Sequence, residues 1–214
     1  MEKEKNVLEF YVLCTKLKNV VRSGWKAWGV ERERVESIAE HIYGVQMLAI
    51  CMWSEYHYDI DIKKTLVMLA LHELEEIVIG DITQFDKNAN TKQNAGHLAV
   101  EKMLKPLCSG QKIKDLIFEF DECKTPEARF AFQCDKLECD LQCKLYDEES
   151  CVDLKIQEKN PALKDENVQK LMKSGLSWSE MWLMFSQRKY DYDKNFLAVS
   201  NYAIKNDINQ QEKA

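Results

Sequence analysis

Glycine and proline are scarce in this sequence of 214 residues, which has 7 glycines and 3 prolines. The usual shares are about 7% and about 5% of a globular protein. Folds that turn often, such as β-sandwiches and propellers, need more of both residues, so their scarcity favours long helices. Hydrophobic residues at 45% and charged residues at 31% exclude wholesale disorder. The composition therefore predicts an all-α protein with a closed core.

Long apolar runs are also missing from the sequence. A run such as residues 66–71 is far shorter than the roughly 20 residues that span a bilayer, so we expect no contact with a membrane. The first ten residues mix both charges and lack the apolar core of a signal peptide, which favours a cytoplasmic location. The glycine-rich motifs of P-loop and dinucleotide-binding proteins are absent, as is the nucleophile motif of α/β-hydrolases.

Positive charge is not in excess. The chain has 30 Lys and Arg against 36 Asp and Glu, a net charge of −6 at pH 7. Duplex nucleic acid is therefore excluded as the main partner, because phosphate backbones are bound by a basic face. A small anion is still compatible with this balance, provided that a local Arg or Lys cluster holds it.

The eight cysteines do not form a zinc motif. Cys134, Cys139 and Cys143 are spaced by five and four residues, and the C-x-x-C pairs typical of structural zinc sites are missing. Cysteine commonly packs as a small hydrophobic residue. We expect these cysteines to be reduced thiols.

Hydrophobic residues recur every three or four positions through most of the chain, which predicts helices. Ser37 and Glu40 have the spacing of a capping box and mark the start of one helix. Asp61 is the expected cap of the next helix, which we predict to continue to about Val78, before Gly80.

A further strong helix start is Thr125-Pro126-Glu127, and a later one is Ser177 with Glu180. No internal repeat or linker divides the sequence. We therefore expect one helical domain over residues 1–200, followed by a polar tail over 201–214.

Metal-ligand residue types fall on otherwise apolar helix faces at His41, His72, Glu73 and Asp135. A single histidine or carboxylate in such a position is more often a structural core residue. Burying several of them together is costly without a cation, so their joint presence favours a metal site. Two imidazoles and two carboxylates suit Mn, Fe, Co, Ni or Zn better than Ca or Mg.

Glu76 lies about one helical turn after His72 and shares its face, whereas Glu73 is turned away by about 100°. We expect His72 and Glu73 to hold one ion from two sides and Glu76 to face an open coordination position. Water near a divalent ion becomes acidic enough to attack at neutral pH. Glu76 is then the group that deprotonates this water or protonates a leaving oxygen.

The order of these residues resembles the H…HD…D signature of the HD-domain metal phosphohydrolases. The resemblance extends, over roughly residues 10–150, to blocks similar to the 5′-deoxynucleotidase branch of that family. These blocks are residues 22–25, 34–41, 72–76, 80–82, 125–130 and 135–138.

The resemblance implies a compact helical HD fold, one divalent metal ion and hydrolysis of deoxyribonucleoside 5′-monophosphates to deoxynucleoside and phosphate. Carried over by position, it implies the metal ligands His41, His72, Glu73 and Asp135. It also implies a small-molecule nucleotide as substrate and a homodimer as the assembly.

The same carry-over assigns roles to residues around the metal. Glu76 would hold the attacking water, and Asp81 would assist at the site or contact the sugar. Arg22 and Trp25 match residues beside the deoxyribose that help to exclude a 2′-hydroxyl group. Arg34 matches a basic residue that pairs with the phosphate, as an arginine fork suits that group.

One position departs from the family signature, because Glu73 stands where the family has aspartate. The extra methylene moves the carboxylate by about 1.5 Å, on the scale of a C–C bond. Glutamate is a common enough metal ligand. We therefore predict that Glu73 still binds the metal.

Two other functions fit the same residues. One is an HD phosphohydrolase with another substrate, either a phosphodiesterase or an alarmone hydrolase, which Glu75 and Glu76 loosely suggest. The other is a catalytically inactive module that binds a nucleotide or a partner. The retained Glu76 argues against inactivity.

The remaining conspicuous residues have structural interpretations. His57 and His97 lie outside the matched blocks and are expected to be solvated or structural. Trp178, Trp182 and Phe185 have helical spacing and form a stripe that faces either the core or a second subunit.

Overall fold

The computed structural model describes residues 2–85 and 92–209. In these residues regular structure is helical, apart from an isolated antiparallel bridge between Val21 and Ser37. The predicted all-α class is confirmed. The α-helices are α1 (Glu2–Thr15), α2 (Ser23–Trp28), α3 (Ile38–Tyr56), α4 (Ile62–Leu71), α5 (Glu76–Ile79), α6 (Lys92–Leu104), α7 (Gly110–Glu122), α8 (Pro126–Glu148), α9 (Glu166–Met172), α10 (Trp178–Lys189) and α11 (Lys194–Lys205).

The predicted helix starts lie where the capping residues indicated. Ser37 Oγ accepts a hydrogen bond from the Glu40 backbone N–H, and the Glu40 carboxylate accepts one from the Ser37 N–H. Asp61 caps α4 by accepting a bond from the Lys64 N–H. Ser177 and Glu180 form a second capping box at the start of α10.

The predicted continuous helix to about Val78 is wrong. Helix α4 ends at Leu71, and α5 begins at Glu76 after a tight turn. The break coincides with a contact of the His72 Nδ1 atom with the Leu69 carbonyl oxygen at 2.7 Å, which competes for that acceptor. In an unbroken helix the Leu69 carbonyl would accept a hydrogen bond from the backbone N–H of Glu73. Gly80 follows α5 at φ 76°, a value that glycine adopts readily.

Two compact units can be distinguished, the first built from the residues up to 23 and residues 36–132. In this unit α3 packs on α4, α5 on α6, and α7 on both α4 and α6. A buried apolar cluster supports the contacts of α5, α6 and α7 and consists of Leu74, Val100, Leu104 and Ile117.

The second unit consists of residues 24–35 and residues from 133 onward. Its core is aromatic: the Trp28 ring lies 5.7 Å from Trp178 and 5.7 Å from Trp182, and Trp25 lies 5.3 Å from Tyr146. Trp178 and Phe185 are buried. The predicted stripe on α10 is therefore a core stripe.

All eight cysteines are free, as predicted. None of the described helices has the combination of length and apolar character that crossing a bilayer requires. Helix α11 ends at Lys205, inside the predicted polar tail, of which residues 210–214 lie outside the described residues. The single domain over residues 1–200 stays a prediction.

Candidate metal centre

Two imidazoles and one carboxylate converge in the first unit. His41, on α3, is fully buried, and His72 and Glu73 follow the end of α4 with 3% and 8% exposure. The Glu73 Oε1 atom lies 3.8 Å from His41 Nε2 and 3.9 Å from His72 Nε2. The possible ligand atoms of these three residues all lie within 4.8 Å of one another. The structure thus brings these three predicted ligands together.

The fold orients both histidines. His41 lies on the buried face of α3, in line with Ile38 and Val45 at intervals of three and four residues. His72 is fixed by its contact with the Leu69 carbonyl, which places the ring proton on Nδ1 and the lone pair on Nε2. Both Nε2 atoms are thereby set to act as ligands around Glu73.

The donor chemistry fits a divalent metal ion. Neutral imidazole nitrogen and carboxylate oxygen are the donors that first-row transition ions and zinc prefer. The Glu73 carboxylate is buried between two imidazoles, which is costly without positive charge, and the Arg22 guanidinium supplies one such charge. The longer Glu73 side chain is compatible with the ligand geometry, because one of its oxygens is nearly equidistant from the two ring nitrogens.

Arg22 contacts the same carboxylate. Its Nη1 atom donates a hydrogen bond to Glu73 Oε1 at 3.1 Å, and the two side chains are 14% and 10% exposed. Arg22 therefore lies beside the candidate metal centre, and its role in substrate binding stays a prediction.

Glu76 is the most deeply buried carboxylate of this region, with 1% exposure. Its Oε1 accepts a hydrogen bond from Lys92 Nζ at 2.6 Å, and its Oε2 is buried without a hydrogen-bond partner among the described residues. Burial, together with the negative charges of Glu73 and Asp81, raises the pKa of Glu76 to about 9, and Lys92 opposes this shift. Sequence analysis missed Lys92, which lies 16 residues from Glu76 and in no motif.

Glu75 points to the neighbouring helix. Burial and the Glu73 charge raise the pKa of Glu75 to about 8. A Cβ atom on Gly96 of α6 would lie 2.9 Å from the Glu75 Cγ atom. The absence of a side chain at Gly96 is therefore what lets α6 approach the turn that carries the acidic residues.

Asp81 follows α5 and receives a hydrogen bond from the backbone of α2. Its Oδ2 atom accepts from the Ser23 N–H at 2.5 Å. Since Arg22 contacts Glu73 and Ser23 contacts Asp81, two consecutive residues are joined to the two ends of the segment 73–81. Asp81 thus connects the segment after α5 to the start of α2. Its predicted contact with the sugar stays a prediction.

His97 has a structural contact, in agreement with one of its two predicted interpretations. Its Nε2 atom lies 2.6 Å from Asp121 Oδ2, and its ring stacks on Phe118 at 3.9 Å. Burial raises the pKa of Asp121, although the hydrogen bond from His97 acts in the opposite direction.

The other predicted site residues belong to the second unit. Asp135 lies on α8 with 4% exposure, and its Oδ2 atom is 2.7 Å from Lys136 Nζ. Trp25 is 5% exposed and packs edge-on against Tyr146. Arg34 is exposed, in the segment before α3. Their roles in metal and substrate binding stay predictions.

Comparison with known proteins places this geometry in context. The HD domain family matches residues 14–182. The 5′-deoxynucleotidase HDDC2 of Dictyostelium discoideum is 34% identical over 152 residues, which cover 67% of this chain and 79% of that protein. The 5′-deoxynucleotidase HDDC2 of Bos taurus is 30% identical, with 67% and 69% covered.

Solved structures also resemble the chain. A protein of Pyrococcus horikoshii superimposes with a TM-score of 0.67 and 26% identity, covering 92% of this chain and 98% of that one. A predicted metal-dependent phosphohydrolase of Magnetospirillum magnetotacticum gives a TM-score of 0.63 at 19% identity, over 95% of this chain and 92% of that one, which shows the shared fold.

Proposed function

This chain belongs to the HD-domain family and to its 5′-deoxynucleotidase branch, and from this premise we propose that it removes the 5′-phosphate from deoxyribonucleoside 5′-monophosphates. The observation that carries the proposal is the position of Glu73 Oε1, 3.8 Å and 3.9 Å from the Nε2 atoms of His41 and His72. A buried acid, Glu76, lies three residues further along the chain.

We propose that one divalent ion is held by His41, His72, Glu73 and Asp135. The convergence of the first three supports this set, and the position of Asp135 in the family signature supports the fourth. When bound, such an ion supplies positive charge to the phosphate and increases the acidity of water. The mixed N/O donors favour Mn, Co, Fe, Ni or Zn as the metal.

Glu76 is proposed to take the proton from the attacking water. One of its oxygens accepts a hydrogen bond from Lys92, and the other is buried and can accept a proton. Its raised pKa of about 9 suits a group that exchanges protons near neutral pH, since a bound cation lowers such a value. The same group can return the proton to the departing 5′-oxygen of the sugar.

Arg22, whose guanidinium group contacts the Glu73 carboxylate, is proposed to bind the phosphate of the substrate as well. A planar guanidinium group binds two phosphate oxygens at once, which offsets the repulsion between a dianion and the acidic residues. Arg34 is proposed as a second phosphate contact. Arg22 and Trp25 are proposed to disfavour a 2′-hydroxyl group, and Asp81 is proposed to assist at the site or to contact the sugar.

We also propose a cytoplasmic location and a homodimer. Eight free cysteines are typical of a reducing compartment. The exposed apolar side chains of α1 support self-association, with Val7, Leu8, Tyr11 and Val12 each 57–63% exposed. Light scattering across a dilution series tests the dimer.

The activity is tested by a substrate panel. The protein is stripped with a chelator, reloaded separately with Mn, Co, Fe, Ni, Zn or Mg, and assayed for phosphate release from matched deoxyribo- and ribonucleoside 5′-monophosphates. The proposal predicts release from the deoxy substrates, a loss of activity in the stripped protein and a much lower rate with ribo substrates. Cleavage of only diesters or pyrophosphates, or nucleotide binding without turnover, would overturn it.

A further inference from the structure

We infer that Lys92 is a positioning residue of the reaction, whose ammonium group holds the Glu76 carboxylate so that its second oxygen faces the attacking water. The inference rests on the proposed function, because it concerns the group that takes the proton. It adds a residue that lies outside the matched sequence blocks, at the first position of α6.

The contact between the two side chains is short and sheltered. Lys92 Nζ lies 2.6 Å from Glu76 Oε1, and the two side chains are 27% and 0% exposed. Charge-assisted hydrogen bonds of this length are among the stronger polar contacts in proteins. Since Oε1 is engaged and Oε2 is buried without a hydrogen-bond partner among the described residues, the contact determines which oxygen is available for chemistry.

Helix α5 has little means of orienting Glu76 by itself. It contains four residues, Glu76–Ile79, and Glu76 is the first of them, preceded by Glu75 without a side-chain cap. A single turn of helix is marginal in isolation and depends on tertiary contacts. The neighbouring α6 supplies these contacts, because α5 packs against it.

The backbone of α6 brings Lys92 to Glu76. Gly96 lies one helical turn after Lys92 and therefore on the same face of α6. A Cβ atom at Gly96 would be 2.9 Å from Glu75 Cγ, so α6 approaches the chain more closely there than any other residue would allow. Glu75 and Glu76 are adjacent, so the close approach at Gly96 occurs beside the contact of Lys92 with Glu76.

The electrostatic surroundings keep Lys92 charged. Burial alone lowers the pKa of Lys92, but the negative charges of Glu73, Glu76 and Glu75 outweigh it and raise the pKa overall. A permanent cation among three acids favours an ionised Glu76 without competing for its proton.

Direct binding of the substrate phosphate by Lys92 is the competing explanation, and a double-mutant cycle separates the two. If Lys92 acts through Glu76, its substitution has no further effect once Glu76 is replaced. If Lys92 binds phosphate, the fold-losses of activity in the two single variants multiply in the double variant, and KM rises.

The experiment measures kcat, KM and metal content for Lys92→Met, Lys92→Arg, Glu76→Gln and the double variant Glu76→Gln/Lys92→Met. Lys64→Met is the matched control, because Lys64 Nζ makes a contact of the same length, 2.6 Å, with Glu119. We expect Lys92→Met to lower kcat by about 10- to 100-fold, since a misplaced catalytic group costs factors of this size. KM and metal content should stay within about twofold, Lys92→Arg should recover part of kcat, and Lys64→Met should match the wild type.

The double variant should have the kcat of Glu76→Gln to within about twofold. Unchanged kcat in Lys92→Met, a rise in KM alone, loss of the metal or multiplying losses in the double variant would overturn the inference. A second readout needs no activity: Lys92→Met should lower the Tm by at least about 2 °C in the wild-type background and by less in the Glu76→Gln background.

Failure of the proposed function and failure of the inference about Lys92 give different results. A wild-type protein that releases no phosphate from any nucleotide disproves the proposed function, and the role of Lys92 in the reaction falls with it. An active wild type with an equally active Lys92→Met variant disproves the inference about Lys92 alone.

Discussion

Arg22 donates its hydrogen bond to the same oxygen of Glu73 that faces both histidines. The Oε1 atom lies 3.1 Å from Arg22 Nη1, 3.8 Å from His41 Nε2 and 3.9 Å from His72 Nε2. A residue proposed to recognise the substrate is thus in contact with a residue proposed to bind the metal. Substitutions at either position should therefore be assayed for metal content and for kinetics together.

Glu73→Ala should abolish stoichiometric metal binding. The substitution removes the oxygen that is shared by the two imidazoles, and loss of one of few protein ligands weakens a site strongly. Metal analysis of the purified protein should show a fall from about one ion per chain to a small fraction. Glu149→Ala is the matched control, because Glu149 pairs with Arg32 at 2.9 Å. Full metal content in Glu73→Ala would show that Glu73 is not a ligand.

Arg22→Lys should raise KM for deoxynucleoside monophosphates by about tenfold or more at unchanged metal content, because an ammonium group cannot replace a bidentate guanidinium contact. Steady-state kinetics on the metal-loaded protein measure this effect. Arg32→Lys changes an arginine that also pairs with a glutamate and should leave KM unaltered. A lowered kcat at constant KM would contradict a role of Arg22 in phosphate binding.

Gly96→Ala should destabilise the protein by about 1–3 kcal/mol, the usual cost of overpacking. The added methyl group would lie 2.9 Å from Glu75 Cγ, so α6 or the Glu75 side chain must shift. Thermal unfolding measures the loss. Gly24→Ala is the control: Gly24 is also helical, and its added Cβ meets no atom within 4 Å. Alanine has the better helix propensity, so that variant should be neutral or slightly stabilised. Equal Tm values for the two variants would contradict the close approach at Gly96.

Asp140→Asn should stabilise the protein at neutral pH. Burial raises the pKa of Asp140 well above its usual value, against the hydrogen bond from Ser186. A carboxyl group with a raised pKa binds its proton more tightly in the folded state, so its contribution is favourable below the unfolded pKa and is lost as the pH rises through the folded pKa. The amide of the substituted Asn stays neutral at every pH in this range, so the variant does not lose stability in this way.

Thermal unfolding of Asp140→Asn and wild type between pH 4 and pH 8 checks the prediction. The gain at pH 7 should shrink as the pH falls toward 4, because the protonated carboxyl group, like the amide, carries no charge. Asn keeps an oxygen that can accept from Ser186 Oγ, which lies 3.0 Å from Asp140 Oδ1. A difference in stability that does not vary with pH would contradict the assignment.

The helices could be predicted because local chemistry determines their ends. Ser37 with Glu40, Asp61, and Ser177 with Glu180 each satisfy backbone N–H groups within a few residues. The break after Leu71 could not be predicted, because the contact of the His72 Nδ1 atom with the Leu69 carbonyl that accompanies it is visible only in the structure. Hydrophobic periodicity continues across that turn and gives no sign of it.

The residues of the candidate site likewise differ in whether the sequence could predict them. His41, His72 and Glu73 could be recognised because metal-ligand residue types on apolar faces are unusual and their order resembles a known signature. Lys92 could not, since lysine is common on helices and its partner Glu76 lies across a helix packing contact. The packing of α5 on α6, with its close approach at Gly96, is a tertiary effect that residue spacing does not encode.

Both the conformation of the turn between α4 and α5 and the number of residues in it determine where Glu76 lies. One residue added between His72 and Glu76 would change the direction and position at which α5 leaves the turn. Both imidazoles would stay where they are, while the acid would turn away from Lys92. Insertions and deletions should therefore be far less tolerated in this short spacer than ordinary substitutions, although it is neither a strand nor a regular helix.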